Sequence, residues 1–213
     1  ANAEVHNGRK YFTVQEEGEY RIKSMREDGT DEKTIISSSA NSLSGVKFSN
    51  DGLTMLYNVS YNRNTNTSDI YKANFDGTDI QNLTNRGDVI NDSAAMSKDG
   101  SKIVFASTRD TANRDLYTMN GDGSNVQRIT NNNFYDGNPS IIDSTNKIVF
   151  QTTEGISGAN TLSMINFDGT DRVQLFPESL FNVNAVLDYE KNYIYFTSEN
   201  ADKTRDIYRA DID

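Results

Sequence analysis

The sequence predicts an all-β protein built from one repeated antiparallel unit, and three observations support this. Short runs of β-branched and aromatic residues, such as 103–105, alternate with polar loops and Asp-Gly turns along the chain, as in strands joined by tight turns. No segment has the 3.6-residue apolar period of a helix. The same pattern returns about every 46 residues, which is typical of repeat architectures.

The clearest copy of the unit runs from Asp99 to Thr130 and contains three short strands. In order it reads as turn, strand, loop, strand, turn and strand: 99–100, 103–105, 107–114, 116–119, 121–124 and 126–129. These strands predict an antiparallel meander. So small a sheet does not bury both of its faces alone.

Aspartates of the Asp-Gly turns give the spacing of the copies. They are separated by 48, 46, 46 and 45 residues: Asp28, Asp76, Asp122, Asp168 and Asp213. Three apolar columns stay in register between them. The columns are Ile22, Ile70, Leu116, Leu162, Ile207; Thr13, Tyr57, Phe105, Phe150, Phe196; and Ile35, Leu83, Ile129, Leu175. Five copies are therefore predicted.

A fourth short run, rich in small and apolar residues, precedes most copies, at 44–52, 93–100, 138–145 and 184–190. Such a run suits the innermost strand of a crowded, tapering blade. Four strands per copy and a unit near 45 residues predict a five-bladed β-propeller of four-stranded antiparallel blades. The expected domain is a single one over 1–213, with blades at approximately 1–36, 44–84, 93–130, 138–176 and 184–213.

The middle copy, MSKDGSKIVFASTRD followed by RDLYTMNGDGSNVQRIT, resembles the WD-like propeller repeat of TolB and its relatives. Three tripeptides match the signature of that repeat: Asp69-Ile70-Tyr71, Asp115-Leu116-Tyr117 and Asp206-Ile207-Tyr208. The inner-strand proline of the family remains only as Pro139. The resemblance covers essentially the full chain and implies the propeller fold. It leaves the function open, since the family spans translocation-system proteins, peptidase gating domains and secreted modules.

Composition excludes several classes of partner. The net charge is −10, from 31 acidic and 21 basic side chains, so nucleic-acid backbones and anionic membrane surfaces would be repelled. No apolar run approaches the ~18 residues of a membrane span, and no cofactor is expected. The chain contains no cysteine and begins at Ala1 instead of Met, which fits a processed periplasmic or secreted protein and equally a trimmed chain.

Binding residues are expected on the long loops, because recognition is usually carried by variable loops on a rigid scaffold. In an up-and-down blade these loops share the face opposite the Asp-Gly turns. Aromatic and arginine side chains in or beside them are the candidates for a protein, peptide or glycan partner, together with one acidic neighbour: Phe134, Tyr135, Asp136, Phe181, Arg109, Arg114 and Arg205.

A carboxylate-dependent, glycan-active enzyme with its site at the mouth of the axial channel is the alternative. Asp92, Asp136 and Asp188 lie at or near the inner strands, and an inverting pair would need roughly 6.5–9.5 Å between carboxyl groups. His6 is the single histidine, so a Ser-His-Asp system or a multi-histidine metal site is not expected. The turn 120–125 lacks the terminal Glu of a calcium loop, and no metal site is predicted.

Two further expectations concern the termini and the Asp-apolar-Tyr signature. Residues Ala3–His6 are expected to form the inner strand of the first blade, leaving the last blade without an outer strand. The alternative closure is that this segment crosses to the last blade and supplies that outer strand itself. The first closure implies either that the natural chain continues beyond Asp213 or that two copies self-associate through the unfilled edge. Asp69, Asp115 and Asp206 are interpreted as loop caps or surface ion pairs worth at most about 1 kcal/mol.

Overall fold

The structure is a computed structural model that describes residues 4–49, 51–62, 66–154, 160–175, 181–188, 193–199 and 204–211. Every regular element within these ranges is a β-strand. They assemble into antiparallel sheets of consecutive strands, which confirms the all-β prediction.

The first two sheets follow the chain in simple order. The first contains β1 (Glu4–His6), β2 (Arg9–Glu16), β3 (Glu19–Arg26) and β4 (Lys33–Ser38). The second contains β5 (Ser42–Phe48), β6 (Thr54–Asn62), β7 (Thr67–Asn74) and β8 (Gln81–Asn82).

The remaining sheets repeat this order, again with neighbours in sequence as neighbours in the sheet. The third contains β9 (Asn91–Met96), β10 (Lys102–Ser107), β11 (Asp115–Asn120) and β12 (Gln127–Arg128). The fourth contains β13 (Asp136–Ile142), β14 (Lys147–Thr152), β15 (Thr161–Asn166) and β16 (Val173–Gln174). The fifth contains β17 (Phe181–Asp188), β18 (Tyr193–Glu199) and β19 (Arg205–Asp211). Within the described residues there are thus five sheets, and their closure into a five-bladed ring stays a prediction.

The chain divides into two compact units, 1–103 with 120–124 and 104–119 with 125–213. Each unit has its own apolar core among the described residues. The core of unit 1 includes Tyr11, Ile22, Leu43, Met55 and Tyr57. The core of unit 2 includes Ile142, Val149, Leu162, Ile194 and Phe196.

The first strand of the fold confirms one expectation about the termini. Glu4, Val5 and His6 pair with β2 and so form the inner strand of the first sheet. The ring of His6 stacks on Phe48 at 5.2 Å between centroids. His6 therefore packs β1 against the second sheet and has a structural role.

Two column assignments in the first copy were wrong by one residue. Phe12, and not Thr13, faces Lys23 as Tyr57 faces Tyr71, and Ile36, and not Ile35, pairs with Ile22. The register of β2 and β3 is set by their two-residue turn at Glu17-Gly18, and a bulge opposite Ile22 and Lys23 shifts β4. The register of paired strands is set by the turn or bulge that lies next to them. Counting residues along the sequence from the repeated Asp-Gly turn therefore misplaced these two residues by one position.

The Asp-Gly turns have the backbone conformation that the sequence predicts. Gly77, Gly123 and Gly169 have φ of 85°, 85° and 87°, a region that side chains rarely adopt. The aspartate before each glycine caps its own turn, as when Asp122 Oδ1 accepts a hydrogen bond from the Ser124 N–H at 2.9 Å. Hydrogen bonds from the Ser124 hydroxyl and from the Ser124 N–H lower the pKa of the Asp122 carboxyl.

Candidate functional site

Two loops of unit 2 carry most of the predicted binding residues, and we call them the two-loop patch. The patch consists of residues 108–114, between β10 and β11, and residues 131–136, which lead into β13. Asn113 Nδ2 donates to the carbonyl of Asn133 at 2.8 Å, and the Asp136 N–H donates to the carbonyl of Arg114 at 2.9 Å. These two bonds fix the loops to each other, so their side chains form one surface.

Tyr135 is held from several directions. Its N–H donates to Thr153 Oγ1 at 2.9 Å, and its carbonyl accepts from the Thr153 N–H at 3.0 Å. The Arg114 guanidinium lies 5.4 Å from the centre of the Tyr135 ring, within the range of a cation–π contact. On another side the ring lies so close to Gly137 that a Cβ there would be 2.6 Å from the Tyr135 hydroxyl. Tyr135 is therefore half-buried and fixed.

Phe134 is the exposed aromatic residue of the patch, with 36% of its surface accessible. Its N–H donates to Asn132 Oδ1 at 2.7 Å, an Asx turn that fixes the backbone and leaves the ring outward. The two loop aromatics thus differ in role, since Tyr135 shapes the loop and Phe134 presents apolar surface.

Asp136 stabilises the two-loop patch from the protein interior. It is fully buried, and its Oδ2 accepts a hydrogen bond from Asn132 Nδ2 at 2.8 Å. Arg172 Nη1 lies 3.5 Å from the same oxygen and also pairs with Glu154. Burial raises the pKa of the Asp136 carboxyl, and its hydrogen bonds with Thr152 and Asn132 and the nearby Arg172 only partly oppose this. A buried, ion-paired carboxylate holds the loop in place and is not itself a surface that a partner touches.

Asp136→Asn is expected to change how stability depends on pH. Because burial raises the folded-state pKa, the folded state keeps the proton more tightly, and the stability from this group is lost as pH rises through the folded pKa. The wild type should therefore lose stability relative to Asp136→Asn as pH rises from about 4, the usual aspartate pKa. The free energy of unfolding of Asp136→Asn minus that of the wild type should increase over this range. Urea unfolding of both proteins across this range measures the difference.

The exposed turn aspartates titrate alike in both proteins and cancel in that comparison. A difference that is constant with pH would contradict the assigned direction of the Asp136 shift.

Arg109 lies at the other end of the first loop and covers two core rings. Its guanidinium lies 4.9 Å from the centre of the Phe105 ring and 4.7 Å from that of Tyr117. The Arg109 Nε–H donates to Ser107 Oγ at 3.1 Å. Such contacts contribute about 1 kcal/mol to stability at a half-exposed site. Arg109 therefore packs the start of this loop against the core rings of Phe105 and Tyr117, and its half-exposed side chain also contributes to the surface.

The remaining predicted residues, Arg205 and Phe181, belong to strands of the fifth sheet and not to the two loops of the patch. Arg205 is exposed at the start of β19. Phe181 begins β17, and its side chain lies outside the described part of the structure, as does that of Asp188. Arg114, Phe134 and Tyr135 are the candidate residues that the structure brings together.

A family profile described as TolB beta propeller domain matches residues 5–213. The chain belongs to the TolB β-propeller family. A comparison with curated protein sequences gave no match.

Solved structures of TolB proteins share the fold. TolB from Acinetobacter baumannii is 17% identical with a TM-score of 0.76, and the match covers 96% of this chain and 50% of that one. A putative TolB from Agrobacterium tumefaciens is 18% identical with a TM-score of 0.73, covering 95% and 73%. The chain thus spans half the length of the Acinetobacter protein.

An oligogalacturonate lyase from Vibrio parahaemolyticus has the same fold at 15% identity. Its TM-score is 0.74, and the match covers 96% of this chain and 59% of the lyase. At this identity the likeness concerns the fold alone, so the TolB-type scaffold is shared by a protein described as an enzyme.

A polar cleft of about 320 Å³ in unit 1 contains the remaining carboxylate candidate. Asp92 lines it together with Lys47, Asn58 and several serines. Two left-handed backbone positions, Gly45 and Ser93, also lie on its wall. In the described part of this TolB-family chain no group of three or more His, Cys, Asp or Glu side chains is placed to hold a metal ion.

The interpretation of Asp69 and Asp115 as surface ion pairs was wrong. Both carboxylates are buried. Asp115 accepts hydrogen bonds from Arg128 at 2.6 Å and from Thr111 at 2.9 Å, and its neighbour Arg114 is engaged elsewhere. The capping part of the interpretation holds, since Asp69 accepts from the Arg86 N–H at 3.0 Å.

The sequence did not indicate which residues outside the two loops hold the patch in place. Thr153 directly follows β14 and Arg172 directly precedes β16, about 20 to 40 residues from the loop that they hold. Asn113 had a weak signal, because asparagine is typical of loops that bond their own backbone. Nothing in the sequence indicates which distant loop it bonds.

Proposed function

We propose that this TolB-family chain is a non-catalytic binding module that holds a protein or peptide partner, or a glycan, on the two-loop patch. The observation that carries the proposal is the exposed ring of Phe134 beside the Arg114–Tyr135 pair on loops that are already fixed. Aromatic residues and arginine dominate binding hot spots. Phe134 supplies the apolar anchor and Arg114 the charge in this arrangement.

The fixed backbone of the patch favours binding. Association costs ordering of loops and side chains, and a surface that is ordered before it meets its partner avoids part of that cost. Asn113, Thr153 and the buried Asp136 hold the patch by hydrogen bonds that need no partner. Affinity is therefore expected to depend on Phe134 far more than on loop closure.

We further propose a periplasmic or secreted location, which rests on the family membership. In the part of the chain that the structure describes, no helix is long and apolar enough to span a bilayer. The net charge of −10 favours partners that are neutral or basic over nucleic acids.

A peptide library displayed on phage, selected on the full chain, tests the proposal. Binding of the selected peptides is then compared between the wild type, Phe134→Ala and Phe75→Ala. Phe75 is a matched control, because 43% of its surface is accessible and it lies on a turn of unit 1. Loss of a buried hot-spot aromatic costs about 2 kcal/mol or more, so Phe134→Ala should weaken binding at least roughly 30-fold.

The control should bind like the wild type, and the melting temperature of Phe134→Ala should stay near that of the wild type. Equal affinity of Phe134→Ala and the wild type would contradict the proposal. A glycan array screened with the same three proteins extends the test to carbohydrate partners.

A second candidate function, a glycan-active enzyme, is favoured by the position of Asp92 on the wall of the polar cleft. Serine hydroxyls and the Asn58 side chain beside it are groups that hydrogen-bond sugars. Turnover of a polysaccharide panel by the wild type, abolished in Asp92→Asn and retained in Phe134→Ala, would support this function in place of the first.

A further inference from the structure

The polar cleft of unit 1 is built around a bulge in an inner strand. The pairing of β5 with β6 shifts register between Ser44 and Lys47, beside Asn58. Gly45 lies in this bulge with φ of 65°. These residues line the cleft together with parts of β7 and β9. The volume of about 320 Å³ is at the small end of ligand pockets, so the cleft suits a small molecule or a single side chain.

The Asn58 side chain is held in one orientation in the wall of the cleft. It is 6% exposed, and its Nδ2 donates to the carbonyl of Asn91 at 2.9 Å. The Ser68 hydroxyl donates to the same carbonyl at 2.9 Å. Because a carbonyl oxygen only accepts hydrogen bonds, the bond to Asn91 decides which end of the Asn58 amide is the nitrogen. The oxygen is therefore the end on the side of Gly45.

This amide oxygen is an acceptor without a donor. Within the part of the chain that the structure describes, Asn58 Oδ1 accepts no hydrogen bond, and it keeps access to the cleft. Polar atoms of side chains as buried as this one normally have a partner. A Cβ at Gly45 would lie 3.0 Å from Asn58 Oδ1. The glycine thus leaves open the approach from the cleft to this oxygen.

The fourth sheet fills the same position with a side chain. Gly137 pairs with Gln151 there as Ser44 pairs with Asn58, and a bulge follows in both strands. The next residue is Asn138, with φ of 49°, and its Nδ2 donates to Gln151 Oε1 at 2.8 Å. The fourth sheet therefore satisfies its amide oxygen with an amide N–H from the bulge, whereas the second sheet has a glycine there.

The left-handed backbone of the bulge does not itself require glycine. Ser93 lies six residues before the aspartate of the next Asp-Gly turn, as Gly45 does, and its φ is 55°. Serine and asparagine thus adopt this conformation at the corresponding positions of the third and fourth sheets. The feature particular to Gly45 is the open approach to Asn58 Oδ1.

Hydroxyl groups beside this oxygen supply donors. Ser44 and Ser60 line the cleft, and their hydroxyls make no hydrogen bond to another residue that the structure describes. A hydroxyl donates as well as accepts. A fixed amide oxygen with hydroxyl donors beside it complements a carboxamide, which has N–H donors and one carbonyl acceptor.

The charged residues of the cleft already have partners. Lys47 Nζ lies 3.2 Å from Glu4 Oε2, and Asp92 also takes part in an interaction within the chain. Neither charge is therefore required by a ligand. An uncharged group is favoured over an ammonium or a carboxylate.

The geometry points to this cleft as a binding site for a primary carboxamide, whose N–H donates to Asn58 Oδ1 and whose oxygen accepts from Ser60 or Ser44. A small free amide and the Asn or Gln side chain of a partner peptide share this chemistry, and the experiment separates them. The site is distinct from the two-loop patch, does not depend on the function proposed for it, and requires no turnover.

Lactamide is the probe, and methyl lactate, which has an ester in place of the amide, is its matched control. Titration of the isotope-labelled full chain, followed by amide chemical shifts, gives both the affinity and the position. Lactamide should shift amides within 44–47, 58–60 and 92–94. Methyl lactate should bind about tenfold more weakly, because it has no N–H to donate to Asn58 Oδ1.

Gly45→Asn gives the second sheet the residue that the fourth sheet has at this position. Its side chain would cover Asn58 Oδ1 and should weaken lactamide binding by about tenfold or more. Asparagine tolerates a left-handed backbone, so the melting temperature should stay near that of the wild type. Gly100→Asn is the matched control, since φ there is 71° and a Cβ meets only Met96 Sδ at 3.9 Å. It should bind lactamide like the wild type.

Ser60→Ala keeps the test decisive if Gly45→Asn fails to fold. Loss of one neutral hydrogen bond should weaken lactamide binding about fivefold. Phe134→Ala should bind lactamide like the wild type, because Phe134 belongs to the two-loop patch.

The tripeptides Gly-Gln-Gly and Gly-Met-Gly, with acetyl and methylamide ends, identify the source of the carboxamide. Tighter binding of Gly-Gln-Gly than of lactamide, with weak binding of Gly-Met-Gly, would assign the site to a partner side chain, and the reverse order would assign it to a free amide. Equal binding of lactamide and methyl lactate, shifts outside the cleft, or undiminished binding to Gly45→Asn would overturn the inference. Absence of shifts with both lactamide and Gly-Gln-Gly would overturn it as well.

Discussion

Replacing Asp115 by alanine is expected to lower the free energy of unfolding by about 3–5 kcal/mol, the cost of breaking a buried ion pair by removing one partner. Asp115 is inaccessible to solvent, and Arg128 lies 2.6 Å from it with 21% of its side chain exposed. The Thr111 and Thr130 hydroxyls also donate to this carboxylate. The alanine variant leaves the arginine charge and the Thr130 hydroxyl without this acceptor, while the Thr111 hydroxyl keeps the Asn113 carbonyl at 2.8 Å.

Urea unfolding of Asp115→Ala measures this loss, with Asp206→Ala as the matched control. Asp206 holds the same place before its column residue and is exposed, so its removal should cost under about 1 kcal/mol. The double variant Asp115→Ala with Arg128→Ala should be less destabilised than the sum of the two single variants. Equal costs at Asp115 and Asp206 would show that the buried network contributes nothing beyond a surface interaction.

Gly77→Ala is expected to destabilise the protein by about 3 kcal/mol. A left-handed backbone costs an alanine about 1–2 kcal/mol, and φ at Gly77 is 85°. In addition, a Cβ at this position would lie 2.2 Å from the carbonyl oxygen of Ile35. Because that oxygen belongs to backbone, it cannot rotate away, and overpacking costs a further 1–3 kcal/mol or so.

Gly29→Ala separates the two contributions to that cost. Its φ is 86°, and a Cβ there meets nothing within 4 Å. It should therefore cost only the backbone strain, about 1–2 kcal/mol. Thermal or urea unfolding of both variants gives the comparison, and equal destabilisation would mean that the contact with Ile35 relaxes freely.

Much of the fold could be predicted because its determinants are local. An Asp-Gly pair fixes a turn, since the glycine accepts the left-handed conformation and the aspartate caps the turn backbone, as at Gly123 and Asp122. Alternation and β-branching fix the strands between turns. Repetition then turns weak signals into a reliable pattern, because the same columns recur in successive sheets.

Features decided by distant residues could not be predicted. The burial of Asp115 depends on a threonine and an arginine that the outer strand brings back more than ten residues later. Asp206 holds the equivalent position in β19, which has no such strand beside it among the described residues, and it is exposed. Sequence alone does not distinguish these two environments.

The candidate site shows the same limit. Loop aromatics at 134 and 135 were a sound indication of a surface, but their different roles follow from Thr153 and Gly137, which hold only the second ring. Asp136 was expected at the surface and lies buried, because Arg172 and Asn132 fill its surroundings. Contacts of this kind become visible only in the folded chain.

Amide chemical-shift mapping of a library-selected peptide on the isotope-labelled chain tests the proposed function most directly. If the two-loop patch is the binding surface, the peptide shifts amides within 108–114 and 131–136 and leaves the turn around Phe75 unchanged, and Phe134→Ala removes these shifts at the same peptide concentration. Shifts that avoid both loops, or that persist undiminished in Phe134→Ala, would contradict it.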